Sequence, residues 1–251
     1  MVPRMESSMA HGAQRPDAWR SVASIPEMSA GFGGAEPTLI AVTDLEGFVV
    51  SVNPTCTEVL GWSAEEMTAV TWWEFIHPDD QHRLVEIVED LMPVGAKAGH
   101  EARVLRRDGS YRWIRANLRA AAARGQLYVA GRDATGDRPV EQVRVGSWEL
   151  RADTATISVS ESAAALLLIP GGAAVPLEAL LGRIPGRDRY RVGRALRWSL
   201  RSREPLSEVF RILRPDGSTG RVRMCGRVTS DGATTSRGIR GIVRDLTSTG
   251  S

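Results

Sequence analysis

LRRDGSYRWIRA (Leu105–Ala116) and LRPDGSTGRVRM (Leu213–Met224) are two versions of one sentence. In each, an Asp-Gly pair separates two runs rich in strand-forming residues, the pattern of a β-hairpin whose turn needs a positive φ. A type I′ turn is the expectation at both. In the first copy Ile114, Ala116 and Leu118 alternate with Trp113, Arg115, Asn117 and Arg119, which predicts a strand buried on one face. Asp108 and Asp216 stand 108 residues apart, Pro78 and Pro185 stand 107 apart, and Asp133 and Asp245 stand 112 apart. Landmarks that keep step over such a length point to duplication of one fold.

Working outward in the first copy, Leu39–Thr43 and Phe48–Val52 read as strands around the turn Asp44–Gly47, and Asn53-Pro54 stops the second. Short helices follow over Thr55–Leu60, ended by Gly61, and over Ser63–Met67, where Ser63 and Glu66 form a capping box. Pro78 opens a longer helix, Asp79 and Asp80 suit its positive end, and Pro93 closes it. Leu84, Ile87, Val88 and Leu91 give that helix one apolar face. Strands are expected over His100–Arg106, Tyr111–Ala120 and Leu127–Arg132.

The second copy repeats the order. Ser147–Arg151 and Thr156–Val159 read as strands, Ser160–Ile169 as a helix capped by Ser160, Pro176–Leu181 as a short helix and Pro185–Arg203 as a long one. Leu206–Leu213, Arg221–Val228 and Ile239–Asp245 complete the strands. The expectation is therefore an α+β chain of two domains, 38–137 and 146–248. They are joined by a linker, 138–145, with helical character of a turn or two. A disordered segment, 1–37, with a short helix around Asp17–Ile25, precedes them, and a tail, 249–251, follows.

Composition agrees with globular domains: 251 residues, 42% hydrophobic and 25% charged. The net charge of +2 conceals an asymmetry. Residues 1–143 carry 14 Lys+Arg and 20 Asp+Glu, a net −6; residues 144–251 carry 18 and 10, a net +8. No apolar run approaches the ~18 residues of a membrane span, and the amino-terminal segment has no signal-peptide core. Two cysteines, Cys56 and Cys225, support neither a zinc site nor a disulfide framework, so a cytoplasmic protein with reduced thiols is expected.

Each copy resembles a PAS domain with its PAC-type C-terminal part. The first carries TDLEGFVVSVNPTCTEVLGWSAEEM, FIHPDD, RRDGSYRWIRA and GRDATGD; the second carries GSWELRADTATISVS, RILRPDGSTGRVR and GIVRDLT. The second, with Trp148 near its first strand, is similar to the PAS fold-3 type, and it departs where IHPDD becomes IPGRD. The resemblance implies, for each domain, a five-stranded antiparallel sheet with helices over one face. The space between them holds a small ligand or is filled by side chains, and the outer surfaces make dimers.

Ligand-lining residues expected in the first domain are Trp73, Ile76, Leu84, Ile87, Val88, Ile114 and Val129; in the second, Leu196, Leu200, Ile212, Val222, Met224 and Val243. The same residues would form the core if no ligand bound. The flavin–cysteine photosensors of the family need a Cys in the short helix before the long one; TAVTWWEFIHPDD has none, and Cys56 lies too early. Non-covalent flavin or a metabolite stays open, with Trp72 and Trp73 as stacking platforms, although paired Trp beside a core helix is usually packing. Haem would need a His on the long helix; His82 alone is there, and a surface role suits it better. His77, before Pro78, is read as a cap or as packing locally.

Arg187, Arg189, Arg191, Arg194, Arg197, Arg201 and Arg203 decorate the second long helix, opposite Val192, Leu196 and Leu200. Without a reading element beside it, a solvated or docking face fits better than nucleic-acid binding. No P-loop, GxSxG or HExxH motif occurs, and no kinase phosphoacceptor or cyclic-dinucleotide signature accompanies them. The expected function is a non-enzymatic tandem sensor that binds a small ligand or dimerises to regulate a signalling partner. The alternatives are a ligand-free interaction adaptor, and the input half of a longer histidine kinase, diguanylate cyclase or transcriptional regulator. A homodimer is expected, without a membrane partner.

Overall fold

The structure, a computed structural model, describes residues 38–91, 97–230 and 237–247. The short helix expected near Asp17–Ile25 and the closing Pro93 lie outside them. The chain divides into two compact units, the first reaching Pro139 and the second beginning at Val140, with the turn Arg107–Ser110 counted in the second.

The first unit runs β1 (Leu39–Asp44), β2 (Val49–Val52), α1 (Pro54–Leu60), α2 (Ala64–Thr68), a 3₁₀ turn (Trp72–Phe75), α3 (Pro78–Leu91), β3 (Lys97–Leu105), β4 (Tyr111–Ala121) and β5 (Gln126–Asp133). Its antiparallel sheet has the order β2-β1-β5-β4-β3. Local chemistry explains the boundaries. The Asn53 side chain accepts from the Cys56 N–H, which caps α1, and from the Ile40 N–H, which ties the helix to β1. Gly61 ends α1 in the left-handed region at φ 76°. Ser63 and Glu66 form the expected capping box on α2. His77 does cap α3, its Nδ1 accepting from the Asp79 N–H, and its ring meets Tyr111 edge-on at 4.8 Å.

The second unit runs β6 (Val145–Arg151), β7 (Thr156–Val159), α4 (Glu161–Leu167), β8 (Val175–Pro176), α5 (Leu177–Leu181), α6 (Gly186–Ser202), β9 (Leu206–Leu213), β10 (Thr219–Ser230) and β11 (Arg237–Asp245). The order β7-β6-β11-β10-β9 repeats that of the first sheet, and β8 adds a sixth strand at the β7 edge. Five strands in each sheet was therefore an undercount for this unit. Val175 and Pro176 extend the edge because only an edge tolerates a residue with no N–H to donate.

Two other expectations differ from the structure. Both hairpins form, but not through type I′ turns. Gly109 and Gly217 have φ 88° and 83°, while neither Asp has a positive φ. In the second turn the Gly217 N–H donates to the Arg214 carbonyl and the Arg214 N–H to that of Ser218, so Arg214–Gly217 is a four-residue turn that ends on a left-handed glycine. The linker 138–145 contains no helix; Pro139 disfavours a helical conformation at the residue before it.

Candidate functional site

Alternation along four strands of the first unit turns one face of the sheet toward its helices. Leu39, Ala41 and Thr43 from β1, Leu127, Val129 and Gly131 from β5, Ile114, Ala116 and Leu118 from β4, and His100, Ala102 and Val104 from β3 all share that face. Cys56, Leu60, Met67, Trp72, Phe75, Ile76 and Leu84 close over it. Between them lies a cavity of about 140 Å³. Val42, Tyr128 and Ala130, the intervening residues, form a separate small cluster.

The surface of the cavity is almost entirely apolar. Thr43 Oγ1 and His100 Nε2 are buried and have no hydrogen-bond partner. Burial first, and then the charge of Arg83, hold the His100 imidazole below the ordinary histidine range, so it is neutral at physiological pH. The Cys56 thiol is satisfied by donating to the Ile40 carbonyl at 3.3 Å. Burial pushes its pKa up to about 12, which removes it as a nucleophile.

Of the residues expected at a ligand site, Ile76, Leu84, Ile114 and Val129 line the cavity. Trp73, Ile87 and Val88 pack into the adjoining cluster with Leu84, Leu91, Ala102 and Leu118 instead. Trp73 is stacked on Trp72 with ring centroids 3.7 Å apart, and it is Trp72 that reaches the wall. In the second unit Leu196, Ile212, Val222, Met224 and Val243 belong to one packed core, and Leu200 rests against it. Trp148 and Phe210 fill that core, with the Trp148 indole N–H donating to the Ile242 carbonyl at 3.0 Å. Thr43, His100 and Cys56 were not anticipated at the site; the period-two pattern of β1 and β3 carried the signal for the first two. His82 is 90% exposed and lies 3.5 Å from Glu86, away from the cavity.

Each unit also contains the same ion clamp. Asp80, in the first turn of α3, accepts from the Arg103 N–H at 2.8 Å and from its guanidinium at 2.8 and 3.0 Å. Asp188, in the first turn of α6, accepts from the Arg211 N–H at 3.1 Å and its Nε at 2.9 Å. The strand ends match as well. Thr135 donates its N–H to Asp133 and accepts from the Trp113 N–H; Thr247 does the same with Asp245 and Arg221. On α6, Arg191 pairs with Glu208 and Arg189 donates to the Ile184 carbonyl, while Tyr190 and Trp198 are exposed. Among the described residues no three His, Cys, Asp or Glu side chains gather as a metal site, and no helix is long and apolar enough to cross a membrane.

Residues 49–131, from β2 to near the end of β5, match the family model described as PAS fold. The solved structures similar to this chain include a sensory box histidine kinase/response regulator from Burkholderia thailandensis, 19% identical, covering 41% of this chain and 78% of that one at TM-score 0.35. Another is the N-terminal domain of a diguanylate cyclase with PAS/PAC sensor from Marinobacter aquaeolei, 21% identical, covering 41% and 100% at TM-score 0.35. A third is Drosophila melanogaster Cycle PAS-B with bound ethylene glycol, 22% identical, covering 38% and 97% at TM-score 0.34. No curated protein matches.

Proposed function

We propose that residues 49–131, which match the PAS fold model, form a PAS domain, and that this chain is a non-enzymatic sensory and signal-transduction protein whose first unit binds a small molecule between sheet and helices. The observation that carries this reading is the cavity of about 140 Å³ with an almost wholly apolar wall between sheet and helices. An apolar space of this size lacks packing contacts that a bound apolar molecule would restore. The second unit, with the same strand order and the same Asp–Arg clamp, is a second PAS domain in this reading. Its core holds Trp148 and Phe210, which favours a role in holding partners or a second copy of the chain. Two free, buried cysteines agree with a cytoplasmic location.

Native mass spectrometry of the freshly purified protein tests the ligand. Extra mass that disappears on denaturation is the expected result, and Ala116→Phe, which places a ring in the cavity, should abolish it. A clean protein mass, unchanged by that substitution, would move the weight to a ligand-free adaptor. Size-exclusion across concentrations tests the homodimer; a monomer at every concentration refutes it.

A further inference from the structure

The two sheets correspond pair by pair, and the second unit shows what fills the space that the first leaves open. Ile114 pairs with Asp133 at the end of β5, as Val222 pairs with Asp245 at the end of β11. From that anchor Ala116 pairs with Gly131 as Met224 does with Val243, and Ala102 pairs with Ile114 as Phe210 does with Val222. Further along, Ala41 pairs with Val129 as Trp148 does with Gly241.

The two ends of this correspondence differ. Trp148 is large, but it lies over glycines. It pairs with Gly241, and a Cβ at Gly226 on the next strand would come within 3.0 Å of its indole. The first unit has Ala41, Val129 and Leu118 at those positions, so one large side chain and two glycines are exchanged for a small one and two larger ones. No such exchange occurs at Ala102, Ala116 and Gly131. These three line the cavity, whereas Phe210, Met224 and Val243 are packed at 2% exposure or less. The first sheet is thereby short of about twelve non-hydrogen side-chain atoms at adjoining positions on three neighbouring strands. Trp72 and Phe75 close in from the helical side, yet about 140 Å³ stays open.

That volume sets the size and polarity of an occupant. A cavity of roughly 150 Å³ with an apolar lining stays dry and accepts a benzene-sized molecule, so about 140 Å³ is too small for a haem or an isoalloxazine ring system. No Lys, Arg, Asp or Glu lines the cavity, and burial keeps His100 neutral. A carboxylate or ammonium would have no counter-charge, and a hydroxyl would have no partner on the apolar surface.

We propose that the ligand is an uncharged single-ring hydrocarbon of benzene to toluene size. It lies over Ala102, Ala116 and Gly131, in the place that Phe210 and Met224 fill in the second unit. This rests on the reading that the first unit binds a small molecule. The second unit carries its own ring, and the first takes one from solution.

Toluene, phenol and benzoate share one ring and differ in polarity, so NMR titration of the full chain with each tests the proposal. Xenon, followed on methyl resonances of the first unit, probes apolar volume alone. Toluene is expected to bind, phenol about ten-fold more weakly, and benzoate not at all. Ala116→Met and Ala102→Phe, which copy Met224 and Phe210, should each weaken toluene about ten-fold or more while the chain keeps its dispersed NMR spectrum. Phenol or benzoate that binds as tightly as toluene overturns the proposal. So does toluene that fails to bind where xenon enters, or that ignores both substitutions. Each of these leaves the ligand-binding reading standing. Xenon excluded from the wild type overturns that reading itself.

Discussion

Asp80 shows how much one side chain contributes in this fold. Burial pushes its carboxyl up, but the hydrogen bonds and charge of Arg103 outweigh burial and hold it below the usual carboxylate range. Its stabilisation is therefore complete above pH ~4, the ordinary carboxyl value, and is lost as the pH falls through the lower folded value. Asp80→Ala should cost about 2 kcal/mol in urea unfolding at pH 7, since it leaves a mostly buried guanidinium short of its partner. His100 has the same sign for a different reason. Burial depresses its pKa, so the neutral form is favoured in the fold, and stability falls as the pH drops from ~6.5 through the folded value. An NMR titration should place the His100 midpoint below those of exposed histidines, and a midpoint at or above theirs refutes it. Cys56, with its thiol pushed up to about 12, should resist alkylation at pH 8 in the native protein and react freely in urea. Equal rates in both would contradict its burial.

At the scale of the element, the caps and turns could be read from neighbouring residues because they depend on little else. Ser160 is a case in point. Its hydroxyl accepts from the Ala163 N–H at the start of α4 and from the Ser147 N–H on β6, so one oxygen both caps a helix and holds it to the sheet. Ser160→Ala should destabilise the second unit by about 1–2 kcal/mol in urea unfolding, and Ser160→Asp should restore part of the loss. The cap was legible in the sequence, but the bond to Ser147 was not, because the two residues are 13 apart. The hairpins divide in the same way. Asp-Gly marked where the chain reverses, while the loop around it was set by strand register: Leu213 pairs with Thr219, which leaves five residues to turn rather than two. The clamp Asp188–Arg211 was overlooked in IPGRD because only its tertiary partner identifies the Asp as the counterpart of Asp80.

For the molecule as a whole, the contrast lies in the two interiors. The first keeps a cavity, and in the second Trp148, Phe210 and Leu196 belong to one packed core. Leu196, 2% exposed, should cost about 3 kcal/mol when cut to Ala. That loss should appear in the unfolding of the second unit, and xenon entry into the first should be unaffected. A change in xenon entry would mean that the two units do not behave as separate cores.

Apart from the edge strand β8, the order of strands and helices, the Ser63 and Ser160 caps and the internal repeat were determined by the sequence alone, because period-two alternation, capping chemistry and glycine conformations act over a few residues. The tertiary structure decided which side chains surround empty space. Trp72 rather than Trp73 reaches the cavity, Ile87 and Val88 pack beside it, and Thr43 and His100 are left unpaired in its wall. Those outcomes depend on the summed volume of side chains brought together from five strands and several helices, and no local pattern encodes that sum.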